Sequence, residues 1–216
     1  LPKLLEQIPP DFLILLNLFR DQLDRYGEVD SIAKKWETAI KKLPQTTILI
    51  LNSDDPQVAF LGTERQATSY FGIEKHDTKN VQMQHAADSV NCPQCREKLT
   101  FLSLSFSHLG NWYCKKCGLK RPPISLEKFD YYPLSGIYNR YNSLAAALVL
   151  QQEKLTSKQI AQSFFQFKPA FGRQEIVRYR NRTVQLFLSK NPTSFNQSYI
   201  TIKELHAKFL LIVLND

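Results

Sequence analysis

The segment Thr47-Ile48-Leu49-Ile50-Leu51-Asn52-Ser53-Asp54-Asp55-Pro56 decides the fold. Its first five residues form an almost unbroken apolar run, which is typical of a strand covered on both faces in a parallel sheet. The polar residues that follow end in a proline and predict a turn at the carboxyl end of that strand. The segment therefore predicts a buried parallel strand with a polar edge.

The residues before this segment predict the rest of a strand–helix–strand unit. Phe12 to Leu16 is a second short apolar run, and residues 1–10 indicate a short helix that ends at two prolines. Apolar residues between the two strands recur every three or four positions, as in an amphipathic helix: Ile32, Trp36, Ala39, Ile40 and Leu43. This order predicts an α/β domain with a parallel sheet.

The pattern is less regular after the segment. Val58 to Leu61 predicts a third short strand, and residues 63–91 give no clear signal. Residues 92–122 contain alternating apolar positions, which indicate a small β module inserted into the α/β domain. Further elements are predicted as a helix from about 134, a helix over 157–167, a hairpin over 175–188 turning at Arg180-Asn181-Arg182, a helix over about 196–208 and a strand over 209–214.

Composition excludes several classes of protein. The 216 residues are 43% hydrophobic and 12% aromatic, so the chain can build a core and general disorder is excluded. The longest apolar runs are far shorter than the roughly 20 residues of a spanning helix, so we expect no transmembrane segment. The net charge of +8 favours phosphate-bearing partners without proving them. The chain starts at Leu1 and stops soon after an apolar run, so we expect an excerpt of a longer protein.

The cysteines occur as two CxxC pairs, with the spacing C-x2-C-x18-C-x2-C: Cys92, Cys95, Cys114 and Cys117. Two such turns can supply the four sulfurs of a tetrahedral zinc site, and the closed shell leaves no position for a reacting water. We therefore predict a structural zinc ribbon, with two disulfides or a redox pair as the less favoured readings. Lys115, Lys116, Lys120 and Arg121 around the second pair could touch phosphate, but a solvated face is favoured.

A basic region follows over residues 168–190, with six cations and one acid. Arg173 beside Gly172, and Lys190 at a predicted strand end, could neutralise phosphoryl charge at the ligand edge of an α/β sheet. Arg178, Arg180 and Arg182 alternate on the predicted hairpin and are expected to share a solvent face.

Two further groups of polar residues are candidates for ligand contacts. Asn139 and Asn142 lie at a predicted helix start, where an amide can pair with a purine edge or simply cap the helix; the two readings are equally supported. Asp21 and Asp24 follow the first strand and Asn17. They could bind Mg²⁺ or orient a substrate, but an ion-pair network with neighbouring arginines is slightly favoured.

Together these segments resemble the Mur ligase family. The resemblance rests on their order: Asn17, Asp21 to Gly27, Asn52 to Pro56, Gly136 to Asn142, Gly172 to Glu175 and Lys190 to Pro192. It implies a central P-loop NTPase-like domain over 1–183, with the zinc ribbon inserted at about 88–124. The start of a Rossmann-like C-terminal ligase domain would occupy 184–216.

The resemblance also implies an activity. The four-Cys insertion resembles the branch of the family that uses ATP and Mg²⁺ to convert the D-glutamate α-carboxyl of lipid II to D-isoglutamine, through an acyl phosphate. The ammonia would come from a GatD-type glutamine amidotransferase subunit, in the cytoplasm at the inner face of the membrane. By this resemblance Asn139 would contact adenine, Arg173 phosphate and Lys190 the nucleotide. Asp21 and Asp24 would line the metal and substrate side, with Asn17 among the cofactor-binding residues.

The chain also departs from the family pattern. Gln22 stands where many Mur ligases have His, and no lysine is placed as an equivalent of the carbamylated lysine of some members. The P-loop and the metal-binding Glu would precede residue 1, and an Asp that completes the partner's site would follow Asp216. We therefore expect this stretch alone to be inactive.

Two other functions are compatible with the sequence. A zinc-ribbon nucleic-acid-binding module would account for the positive charge, but not for the order of the Asn and Gly-Arg motifs; we expect no nucleic-acid partner. Another Mur-type amide ligase, such as a folylpolyglutamate-like enzyme, would account for those motifs but not for the ribbon.

Overall fold

The computed structural model describes residues 1–19, 29–74, 87–126, 128–169, 172–190 and 192–214. The helices in these ranges are α1 (Pro2–Gln7), α2 (Val29–Lys41), α3 (Pro56–Phe60), α4 (Ile137–Gln152), α5 (Ser157–Phe165) and α6 (Pro192–Glu204). The strands are β1 (Phe12–Leu15), β2 (Ile48–Asn52), β3 (Thr68–Phe71), β4 (Thr100–Phe106), β5 (Leu109–Tyr113), β6 (Arg173–Tyr179) and β7 (Arg182–Phe187).

A parallel sheet of order β1-β2-β3 forms the centre of the molecule. Residues of β2 face two separate cores in alternation: Leu49 and Leu51 pack with α2 and α3, whereas Ile50 packs with α4 and α5. All three of these side chains are fully buried, because a parallel sheet carries helices on both faces. The predicted α/β class with a parallel sheet is confirmed.

The region after β2 differs from the prediction. The strand predicted over Val58–Leu61 is wrong, because these residues belong to α3 and the turn that follows it. Asp55 caps this helix by accepting hydrogen bonds from the backbone N–H groups of Gln57 and Val58, and Pro56 occupies the first turn. The third parallel strand is instead β3, whose side chains are mostly only half-buried.

Two small antiparallel hairpins complete the described structure. One is β4–β5, which lies between the two CxxC pairs; the other is β6–β7, which turns at Arg180 and Asn181 as predicted. The domain boundary expected between 183 and 184 falls inside β7, where Val184 pairs with Val177. No helix in the described part of the chain is long and apolar enough to cross a membrane.

The predictions for the last residues are only partly right. The last helix ends at Glu204 rather than near residue 208. The strand predicted over 209–214 is wrong: these residues have no strand pairing, and Phe209 and Leu211 are 87% and 86% exposed. An apolar run indicates a strand only where a neighbouring strand is present to pair with it.

Candidate functional site

The carboxyl end of β2 is built from fully buried polar residues. Asn52 accepts a hydrogen bond from the backbone N–H of Asp54 at 3.0 Å. One carboxylate oxygen of Asp55 caps α3, and the other accepts from the backbone N–H of Leu18 at 2.7 Å. Asp55 therefore joins the ends of β1 and β2, at the edge where open α/β sheets bind their ligands.

Asp54 connects this edge to two other parts of the molecule. Its Oδ2 accepts from the Tyr141 hydroxyl at 2.6 Å and from the backbone N–H of Ile73 at 3.0 Å. Its Oδ1 accepts from Arg121 Nε at 2.6 Å. These donors compensate for burying the charge. Burial, with the nearby Asp54 charge, raises the pKa of Tyr141 well above its usual value.

The placement of Arg121 corrects the prediction. Its side chain is only 14% exposed and pairs with Asp54, so Arg121 belongs neither to a solvated face nor to a free phosphate contact. The nearby lysines 115, 116 and 120 are exposed, as the solvated-face interpretation predicts. The sequence could not separate Arg121 from these lysines, because Asp54 lies 67 residues away.

The four cysteines come together in one cluster. Their sulfurs all lie within 4.8 Å of one another, with Sγ–Sγ distances of 3.6 Å for Cys92–Cys117 and 3.5 Å for Cys95–Cys114. The two turns have the same form: the fifth residue of each, Arg96 and Gly118, has a positive φ and donates its N–H to the carbonyl of the first cysteine.

The cluster fits a tetrahedral zinc ion. Zn–S bonds of about 2.3 Å place the sulfurs about 3.8 Å apart, close to the distances found. Burial raises the pKa of Cys92 to about 12, whereas the backbone N–H of Cys117 lowers the pKa of Cys114 to about 7. Trp112 and Leu99 pack with the cysteines in one buried cluster.

A cavity of about 310 Å³ lies between the start of α4 and the β6–β7 hairpin. Its lining is mostly apolar, with a few polar groups, as in many ligand sites. The lining residues are Pro133, Leu134, Tyr138, Asn139, Asn142, Ser143, Ala146, Phe164, Phe167, Gly172, Arg173, Gln174, Phe187, Leu188 and Ser198.

The structure brings together some of the predicted site residues. Asn139 and Arg173 both line this cavity. Lys190 is not part of the lining, but it lies two residues after Leu188, which is a lining residue. Asn17 follows the carboxyl end of β1 and is not among the lining residues. Asp21 and Asp24 lie outside the described residues.

Asn139 is buried in the first turn of α4 and is not the cap of that helix, because Gly136 occupies the cap position. Its Nδ2 donates to the Ser135 carbonyl at 2.7 Å, and its Oδ1 accepts from Asn142 at 3.4 Å. Among the described residues, these bonds use one of two N–H groups and one of two carbonyl lone pairs, which leaves a donor and an acceptor of the amide for a ligand.

Arg173 lies in a distorted segment at the start of β6. Gly172 and Gln174 on either side have φ values of +71° and +62°, and the pairing with β7 shifts register between Arg173 and Glu175. Such a bulge re-aims a side chain at the end of a strand. Here the bulge places Arg173 on the cavity wall while Gln174 is turned inward and buried.

Sequence reasoning missed the roles of Asp54, Asp55, Gln174 and His108. His108, at the tip of the β4–β5 hairpin, is fully buried, with Nε2 3.4 Å from Asp55 Oδ2 and its ring 4.7 Å from that of Phe19. The consecutive acids at a strand end were the available signal, since ligands bind at that edge. Nothing in the sequence pointed to His108.

Comparisons with known proteins place these features in a family. The Mur ligase middle domain profile matches residues 2–150. The lipid II isoglutaminyl synthase (glutamine-hydrolyzing) subunit MurT of Staphylococcus aureus is 28% identical over the whole chain, and that of Streptococcus pneumoniae is 29% identical over 99% of it. The chain spans about half the length of these relatives, 52% of each.

Solved structures agree with this assignment. A pseudomurein peptide ligase type C from Methanothermus fervidus is similar with a TM-score of 0.73 and 25% identity, over 93% of this chain and 43% of that one. The ligase MurC of Thermotoga maritima, at 16% identity and a TM-score of 0.54, shares the fold over 92% of this chain and 39% of its own.

Proposed function

The chain belongs to the Mur ligase family, and from that premise we propose that it is part of a MurT-type ligase that uses ATP to amidate the D-glutamate α-carboxyl of lipid II. The observation that carries the proposal is the cavity shared by Asn139 and Arg173, together with similarity to MurT subunits along nearly all of this chain. The proposal extends to the whole protein, of which this chain is about half by comparison with those relatives.

The proposed chemistry gives a role to Arg173, the cation among the residues that line the cavity. A carboxylate oxygen is a poor leaving group, so the α-carboxyl attacks the γ-phosphorus of ATP and forms an acyl phosphate, with ADP released. Ammonia then attacks the acyl carbon, phosphate leaves, and a proton is lost to give the amide. Both steps move negative charge, which a positioned arginine stabilises in the transition state.

The roles proposed for the cavity residues follow their geometry. The remaining donor and acceptor of the Asn139 amide match the edge of adenine, and the apolar walls formed by Leu134 and Phe164 suit its faces. Arg173 offers its guanidinium to phosphate oxygens. Lys190 is proposed to reach the nucleotide from the segment that follows Leu188.

The remaining roles lie at the carboxyl edge of the sheet. Asn17 is proposed to bind on the cofactor side, at the end of β1. Asp21 and Asp24 are proposed to line the metal and substrate side, since carboxylates suit Mg²⁺ and this ion offsets phosphoryl charge. The division into a central domain (1–183) and the start of a C-terminal domain (184–216) is part of the same proposal.

The four-Cys cluster is proposed to hold structural zinc as a ribbon over about 88–124. Its sulfur spacing supports this, and four thiolates around one ion leave no open position for catalysis. The proposed partner is a GatD-type glutaminase subunit that supplies ammonia, and the proposed place of action is the cytoplasmic face of the membrane, where lipid II would be reached.

The full-length protein, co-expressed with a glutaminase subunit, tests the proposal. With ATP, Mg²⁺, glutamine and lipid II, we expect ADP formation that depends on lipid II, and a product in which NH2 replaces one OH by mass spectrometry. Amidation of a different carboxylate would support another Mur-type ligase instead. Salt-sensitive binding to DNA or RNA without ATP turnover would support the nucleic-acid-binding alternative.

A further inference from the structure

The inserted four-Cys module reaches the start of α4 through buried polar contacts. Arg121, four residues after Cys117, donates to Asp54, and Asp54 accepts from Tyr141 in the first turns of α4. Tyr141 is fully buried, and it lies two residues after Asn139 on the same helix. The path from the cysteines to the cavity thus has two side-chain links, each 2.6 Å long.

The module also contacts Tyr141 directly. The hydroxyl of Ser105 on β4 hydrogen-bonds to that of Tyr141, and the ring of Phe106 packs edge-on against the Tyr141 ring with centroids 5.9 Å apart. Tyr141 is therefore held by β4 and by the end of β2 at the same time. A side chain fixed from two directions sets both the position and the rotation of the helix that carries it.

The network around Asp54 packs closely against Gly72. A Cβ atom added at Gly72 would meet Ser53 Oγ at 2.5 Å, Asp54 Oδ1 at 2.6 Å and Arg121 Nη2 at 2.9 Å. The glycine allows the arginine and the carboxylate to approach β3 closely. The Trp112 indole N–H also donates to the Ser53 carbonyl at 3.0 Å. The module therefore hydrogen-bonds to the backbone beside Asp54 as well.

We propose that the four-Cys module positions the nucleotide site, with Arg121 and Tyr141 as positioning residues that act through Asp54 on Asn139. This inference rests on the proposed function, because it assumes that a nucleotide binds at the cavity lined by Asn139 and Arg173. The four-Cys module would then contribute to the affinity for the nucleotide as well as to the stability of the protein.

The test measures the affinity of the full-length protein for a non-hydrolysable ATP analogue with Mg²⁺, by calorimetry. Tyr141→Phe removes one hydroxyl and is expected to weaken binding about 3- to 30-fold, the range of coupling through a packed network. Tyr70→Phe is the matched control. It removes a hydroxyl that donates to the Ala59 carbonyl at 3.2 Å beside the four-Cys core, and it should leave the affinity unchanged.

Two further measurements separate positioning from general damage. Zinc content and melting temperature are recorded for each variant, and both tyrosine variants should keep their zinc.

Arg121→Lys, which keeps a cation near Asp54, should bind the analogue more tightly than Arg121→Met. Removing zinc with a chelator should weaken binding in the wild type, and add little in Tyr141→Phe, since the link is already broken.

The outcomes distinguish the two proposals. If Asn139→Ala weakens analogue binding while Tyr141→Phe does not, the positioning role is overturned and the nucleotide site stands. Equal losses in Tyr70→Phe and Tyr141→Phe, or additive effects of zinc removal and Tyr141→Phe, would overturn it as well. Wild-type protein that binds no analogue would remove the proposed function and this inference together.

Discussion

The side chain of Gln174 forms two hydrogen bonds with the backbone of Ser135, accepting from its N–H at 3.1 Å and donating to its carbonyl at 2.7 Å. Its Nε2 also lies 2.9 Å from the Tyr138 hydroxyl. These bonds fasten the start of β6 to the loop that precedes α4. Gln174 thereby fixes the distance between the two walls of the cavity that carry Arg173 and Asn139.

Gln174→Ala is expected to loosen this connection. The loss of its hydrogen bonds should lower the free energy of unfolding by about 1–3 kcal/mol and weaken nucleotide binding, because Ser135 loses two partners. Urea unfolding and calorimetry measure the two effects. Gln185→Ala, on β7 of the same hairpin, is the control and should change neither quantity appreciably.

Arg173→Met should weaken nucleotide binding about 10- to 100-fold, because the variant lacks the charged hydrogen bonds to phosphate. Arg178→Met removes the same charge from an exposed position on the same hairpin and should have almost no effect. The two dissociation constants, measured at one ionic strength, decide the matter. Equal effects would mean that Arg173 acts only through the overall charge of the hairpin.

Cys95→Ser should abolish stoichiometric zinc. Wild-type protein is expected to carry about one zinc ion per chain by elemental analysis, whereas the variant should carry almost none and melt at a lower temperature. Lys115→Ser, between the cysteines of the second pair, should keep the metal. A wild-type chain purified without chelator that contains no zinc would contradict the assignment.

The half-buried Tyr70 predicts a loss of stability in alkaline solution. Burial raises the pKa of Tyr70 from 10.0 to about 12. Between these values the unfolded chain releases a proton that the folded chain keeps, so the free energy of unfolding falls as pH rises, by at most about 1.4 kcal/mol per pH unit. Below pH 10 this contribution is fully present. Urea unfolding at several pH values between 10 and 12 measures this effect. The free energy of unfolding should fall less steeply with pH in Tyr70→Phe than in the wild type.

The apolar runs predicted strands β1 and β2 and the larger helices correctly, because burial in a parallel sheet leaves a clear pattern in these two strands. The run over 58–61 was misread as a strand, since a short apolar run fits a buried helix equally well. The Asp55-Pro56 pair was the better signal, because it is typical of a helix start. The half-buried strand β3 carries too few apolar residues for its pattern to be recognised.

The candidate site was predictable where the chemistry is local in sequence. The CxxC spacing indicated that the sulfurs would meet, and they do. The partners of Asp54 could not be foreseen, because Arg121 and Tyr141 lie 67 and 87 residues further along the chain. Such pairings depend on the tertiary arrangement and leave no periodic trace.

The inserted module and the α/β domain meet at two buried aspartates. Cutting out residues 88–124 would remove Arg121 from Asp54 and His108 from Asp55, and would leave the two carboxylates with only their donors from the α/β domain. Deleting the module, or transferring it to another protein, would therefore also require substitutions at the two aspartates.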